Sequence, residues 1–177
     1  MKISRLKNKR QSGAAIAEFG PTLIIFFLLI FIPFLDLISF IWGVATIAMA
    51  ANVAARNAGS ASTYTQAKTN VTNTGTQIVG GPFGKFANLT PQDGTGLTLK
   101  ALQVPINGGA ASTYVAGSTP DTTNNFYEYQ VTAKYGVMPL FNFSKSGFFQ
   151  SVPGLGKAAD VSFTSASHCE HPDGLPN

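Results

Sequence analysis

Charge, cysteine and histidine are all scarce in this chain, and each shortage closes off a class of function. Cys169 is the only cysteine among 177 residues, so no internal disulfide framework can staple the fold. Both histidines, His168 and His171, flank it in "SHCEH" (167–171). Four adjacent ligand-type residues without a second group elsewhere do not match the wider spacing of a structural zinc site. An intermolecular disulfide and a mobile, Pro/Gly-rich tail are the other readings of this stretch, and the tail is the expectation. No Gly-Lys-Ser/Thr phosphate loop occurs. No histidine lies near a candidate nucleophile, and Asp121 and Glu128, seven residues apart across a strand start, read as solvated surface. The expectation is a non-enzyme without cofactor or metal.

Charged residues make up 11% of the chain, under half of the usual share, and they are unevenly spread. Lys2, Arg5, Lys7, Lys9 and Arg10 supply five of the twelve Lys and Arg residues. Beyond Gly13, seven basic residues face eight acidic ones, a net of −1. The formal charge of +4 therefore belongs to a leader, and no basic patch interleaved with aromatics predicts nucleic-acid binding. Residues 19–35 carry no charge, and Asp36 is the only one between Glu18 and Arg56.

That uncharged run opens a long apolar helix. As a helix, residues 19–35 span about 26 Å, and continuation to Ala55 gives about 55 Å. A hydrocarbon core is about 30 Å thick, so only half of such a helix can lie in lipid. The second half is built to pack on protein. Val44, Ile47, Ala48, Ala51, Ala55 and Ala58 recur at three- and four-residue steps, a stripe of small side chains with Ala48, Ala51 and Ala55 at its centre. Asn52, Arg56 and Asn57 mark the polar side, and Gly59 reads as the stop. Gly20, Pro21 and Pro33 predict kinks, because Pro21 and Pro33 cannot donate to the carbonyls of Ala17 and Leu29. Such kinks are either tolerated irregularities of a membrane helix or a segment that bends when its environment changes. Five basic residues before the span and only Arg56 soon after it orient the N-terminus toward the cytoplasm.

Residues 61–177 read as an exported α+β domain with a small antiparallel sheet. The clearest strand is "FYEYQVTAKY" (126–135), with Tyr127, Tyr129, Val131, Ala133 and Tyr135 on one face. A second, "LTLKALQV" (97–104), shifts its alternation around Ala101–Leu102, as a bulge would. A third is "DVSFTS" (160–165), with Val161 and Phe163 together. Residues 62–79 are compatible with a short helix. The Phe-rich stretch 137–156 reads as a long loop over the sheet, with an exposed docking patch as the alternative.

Three accounts of the N-terminus remain in play. A secretory signal would be cut after "AMA" (48–50), but its apolar run is too long and holds Asp36. An uncleaved bitopic anchor with an exported ligand-binding domain explains length and flanks, yet leaves Glu18 without a role. Cleavage between Gly13 and Ala14 gives it one. The new Ala14 amine would lie one helical turn from Glu18, which could pair with that amine on its own or a neighbouring chain. An unpaired charge at the bilayer centre costs about 2.5–3.5 kcal/mol, so such pairing would set the register of assembling subunits.

At these residues the chain resembles a known family. The short basic leader, "SGAAIAEF" and the apolar helix are similar to a prepilin-type (class III) signal. "GAAIAEFGPTLIIFFLLIFIPFLDL" with "AANVAARNAGSAS" resembles the TadE-like pilin-like (pseudopilin) proteins of tight-adherence, Flp-type pilus systems. Gly13, Glu18, Phe19, Pro33, Asp36 and Ala54-Ala55-Arg56 carry the match, over about residues 8–60. An early Gly20-Pro21 and Phe19 in place of Tyr depart from it. The resemblance implies a leader over 1–13, a helix over 14–60 and an exported domain over 61–177, in a pilin-like lollipop. It implies cleavage at Gly13–Ala14 and an assembly role for Ala14, Glu18 and Phe19. The implied partners are a prepilin peptidase, other pilin or pseudopilin subunits, an inner-membrane assembly platform and the lipid bilayer. The implied location is the bacterial inner membrane and then a periplasmic or cell-surface pilus, with the chain as a minor pilin or pseudopilin.

Overall fold

The computed structural model describes residues 19–177 except 144, 146, 148 and 149. A single helix, α1 (Phe19–Gly59), opens the described chain. At ~1.5 Å per residue it is about 62 Å long. It passes through Pro33 without breaking. The turn just before it, Phe27–Phe31, is a π turn in which the Ile32 N–H donates to the Phe27 carbonyl. The proline ring crowds the carbonyl four residues back, and a widened turn gives that group room. The expected interruption is therefore a π turn, and the helix also runs through Gly20 and Pro21.

Two helices and a sheet follow. Helix α2 (Tyr64–Gly80) starts at Thr63, whose Oγ1 accepts from the Gln66 N–H at 3.2 Å, while Gln66 Oε1 accepts from the Ser62 N–H at 3.0 Å. This near-capping-box makes a Thr- and Asn-rich segment helical despite its composition. Helix α3 (Pro82–Phe86) is a short turn. The strands are β1 (Leu89–Pro91), β2 (Leu97–Pro105), β3 (Ser112–Thr113), β4 (Asn125–Val137) and β5 (Ala159–His168), all paired antiparallel. The centre is β4. One of its edges takes β2 and then β1, the other takes β5, and β3 extends β2 outward. A long helix followed by an antiparallel curled sheet makes the chain α+β.

On β4, Tyr127, Tyr129, Val131, Ala133, Tyr135 and Val137 are buried on one face beneath α1 and α2. Leu97, Leu99 and Ala101 of β2 lie opposite Ala133, Val131 and Tyr129 and share that face. The β2 register runs unbroken from Leu97–Ala133 to Pro105–Asn125, so the expected bulge at Ala101–Leu102 is absent. Leu102 and Val104 simply point to the other face, half-buried, where β3 pairs beside Leu102. The sheet's far face carries Thr132, Lys134 and Thr164 toward solvent, the arrangement of an antiparallel sheet covered on one side.

The C-terminal stretch is docked, which corrects the expectation of a mobile tail. The Cys169 N–H donates to the Tyr127 carbonyl at 2.9 Å, Glu170 N–H to Gly59 at 3.0 Å, and Thr65 N–H to Asn177 at 3.2 Å. Cys169 and Leu175 are each 1% exposed. Local Pro and Gly content could not reveal these long-range contacts.

Candidate membrane and assembly surface

Helix α1 divides into two chemically different halves. Within its first turns, Phe19, Ile24, Leu29 and Ile30 are all more than half exposed. Only 11% of its most apolar 18-residue window is buried within the chain. By length and composition this one helix can cross a membrane. A row of exposed Phe, Leu and Ile is costly in water and is satisfied by a lipid or protein partner.

From Gly43 onward the same helix is fastened to the sheet. Its buried positions are Gly43, Thr46, Ile47, Ala50, Ala51, Ala54, Ala55, Ala58 and Gly59. Of the expected packing residues, Ala51 and Ala55 are buried, while Ala48 is only half-buried. The seam is thus rotated from Ala48 toward Ala50 and Ala54, which the spacing of small residues alone could not distinguish in so Ala-rich a run. Close approach sets the glycines. A Cβ on Gly43 would lie 2.8 Å from Val137 Cγ1, and one on Gly59 would lie 2.6 Å from the His168 carbonyl oxygen. Gly59 is the last helical residue, and its role is contact with β5 as well as termination. The flanks are pinned by side chains: Ser165 Oγ donates to Asn52 Oδ1 at 2.8 Å, and Asn57 Nδ2 donates to Thr74 Oγ1 at 3.1 Å.

Asp36 marks the junction between the halves. It is 4% exposed, and its Oδ1 accepts from the Phe141 N–H at 3.0 Å, across 105 positions of sequence. Its Oδ2 and the Ser39 hydroxyl have no hydrogen-bond partner among the described residues. The carboxylate ties the Phe-rich loop to the helix. Around it, a 490 Å³ cleft is lined by Pro33, Asp36, Leu37, Phe40, Leu155 and others. A neighbouring 390 Å³ cleft is lined by Leu28, Leu29, Pro33, Phe143 and Leu155. The loop expected to lie over the sheet instead follows the helix toward its apolar half. The Asp36–Phe141 bond was not legible beforehand, since nothing in either local sequence names the other.

The expected processing and register residues Gly13, Ala14 and Glu18 lie outside the described residues; Phe19 is exposed at the start of the described helix. Among the described residues, no group of three His, Cys, Asp or Glu side chains is gathered as a metal site would require. Cys169 is buried beside the Tyr129 hydroxyl, and burial pushes its thiol above the usual range. Asp121 accepts from Asn124 Nδ2 at 2.8 Å and from the Thr123 N–H at 3.1 Å, and the Asn124 bond foremost lowers its pKa. That carboxylate closes its own loop. Comparison with protein-family models, curated proteins and solved structures finds no match.

Proposed function

We propose that the chain is a minor pilin or pseudopilin, a structural subunit of a type IV (Tad/Flp-like) pilus or related secretion filament. One observation carries the reading: a single helix whose exposed apolar half continues directly into a half clamped on a small sheet. This is a stalk that can slide from lipid into a bundle of like helices while the head stays folded. The leader, Gly13, Ala14 and Glu18 supply the rest from the sequence. In this account a prepilin peptidase on the cytoplasmic side removes residues 1–13. The Ala14 ammonium and the Glu18 carboxylate of adjacent subunits then pair within the apolar layer. The chain catalyses nothing and is itself the peptidase's substrate.

Two competitors place the N-terminus elsewhere. An uncleaved anchor would retain Met1. Signal cleavage after Ala50 would cut within a continuous helix at a residue with no exposed surface, and would discard the Gly43–Ala50 contact with the sheet. The packing weighs against that second competitor. Glu18→Ala tests the assembly role: processing and membrane insertion should persist while incorporation into filaments falls. Unchanged incorporation would remove the register role of Glu18.

A further inference from the structure

The loop between β4 and β5 carries exposed apolar side chains that a spanning helix does not explain. Phe141 and Phe143 of its first arm and Pro153, Gly154 and Leu155 of its second lie against α1. Leu140, Phe141 and Val152 are 40%, 41% and 38% exposed. Phe143 and Leu155 face Leu28, Leu29 and Pro33 across an open apolar cleft. Lys145 and Lys157 are exposed on the same loop. The bond from the Phe141 N–H to buried Asp36 holds the loop at this height along the helix.

That height determines the partner. Twenty residues of helix cross about 30 Å of hydrocarbon. A span starting at Ala14 ends at Pro33, and one starting directly after Arg10 ends at Ile30. In both cases Leu28 and Leu29 fall within the last ~8 Å of the hydrocarbon on the head side. Phe143 and Leu155, which face them, share that depth, which matches the 5–10 Å reached by apolar faces of surface-bound segments. Phe141, tied to Asp36, sits about 5–9 Å past that end of the span, toward the head, at the level of the lipid headgroups. We propose that this loop is a second, non-spanning membrane contact, inserting Phe143 and Leu155 into the leaflet on the head side, with the exposed Leu140, Phe141 and Val152 lying at its interface. Acyl chains fill the cleft between Leu28, Leu29 and Pro33 of the helix and Phe143 and Leu155 of the loop. Lys145 and Lys157 extend their stems along the apolar surface and set their ammonium groups among lipid phosphates. The contact fastens the head to the bilayer and fixes its rotation about the stalk. Leaving the membrane for a filament then requires the loop to exchange lipid for a neighbouring subunit.

The inference rests on the membrane reading of α1, and the test separates the two. The full chain, in a Trp42→Phe background, is reconstituted in phosphatidylcholine/phosphatidylglycerol vesicles with acyl-brominated lipid. Single tryptophans are placed at Phe141 and Val152 in the loop, at Ile24 in the span, and at Val115, which is 73% exposed on the head. Both loop tryptophans should lose emission, to a lesser degree than position 24 as interfacial positions do, while position 115 loses none. Quenching at 24 with none at either 141 or 152 would overturn the loop contact and leave the span standing. No quenching at 24 would overturn both. Two loop positions guard against one substitution disturbing the loop itself.

Discussion

Replacing Gly59 with alanine tests how closely α1 must sit on the sheet. The added Cβ would meet the His168 carbonyl oxygen at 2.6 Å and Ser167 Oγ at 2.7 Å. The first of these neighbours is backbone of a paired strand, which cannot rotate away. Bringing 2.6 Å to the 3.4 Å of ordinary contact requires a separation of about 0.8 Å, an overpacking that costs about 1–3 kcal/mol. Alanine recovers about 0.5–1 kcal/mol in helix propensity. The difference spans about 0–2.5 kcal/mol; with a backbone neighbour that cannot yield, the cost lies in its upper half, a net loss of about 1–2.5 kcal/mol, or roughly 2–10 °C in midpoint for a chain of this size. The same shift strains the Glu170 N–H bond to the Gly59 carbonyl and the Ser165–Asn52 bond. Thermal unfolding of the purified full chain in micelles, followed by near-UV circular dichroism, reads the change. Gly80→Ala is the control, since a Cβ there meets nothing within 4 Å; it should be neutral or slightly stabilising. A Gly59→Ala protein that melts with or above the parent would refute the close-approach argument.

Further expectations follow from other contacts. Asp36→Ala leaves the part-buried Phe141 N–H without its acceptor, a loss of about 1–1.5 kcal/mol, so tryptic cleavage at Lys145 in micelles should rise about tenfold; Asp36→Asn keeps an acceptor and should stay near the parent rate. Gly174→Ala drives a methyl into the Ser62 carbonyl and should undock the tail, which mass spectrometry would register as faster maleimide labelling of Cys169. Tyr135 donates its hydroxyl to the Thr95 carbonyl at 2.8 Å, and burial pushes its pKa from 10.0 up to about 12. Because the folded value is the higher, the stabilisation is complete below pH 10 and is lost as pH rises toward 12. Tyr135→Phe should therefore make the fall in that window shallower, the remainder coming from Tyr129, whose pKa burial also raises, as measured by denaturant titration, while costing about 1 kcal/mol at neutral pH.

Periodic features were legible in the sequence, and long-range ones were not. Strand β4 announced its buried face because Tyr127 to Tyr135 alternate without error and a sheet has a period of two. The end of α1 near Gly59 was visible in composition, but the glycine's contact with His168 was not, because the partner lies over a hundred residues away. The rotation of the seam from Ala48 toward Ala50 and Ala54 was hidden by alanines on several helix faces at once. The apparent bulge in β2 came from assuming that every leucine seeks the core, whereas Leu102 sits half-buried on the outer face. The tail's docking and the Asp36 tether depend on backbone N–H groups, which carry no side-chain signature. For the proposed assembly site the balance reverses: Gly13, Ala14 and Glu18 are read from the sequence alone.

The N-terminal residue of the mature chain tests the central claim most directly. Edman degradation or intact-mass analysis of protein recovered from its native envelope should find Ala14 first, with the Met1–Gly13 leader gone. Protein still carrying Met1, or beginning at Ala51, would contradict the account.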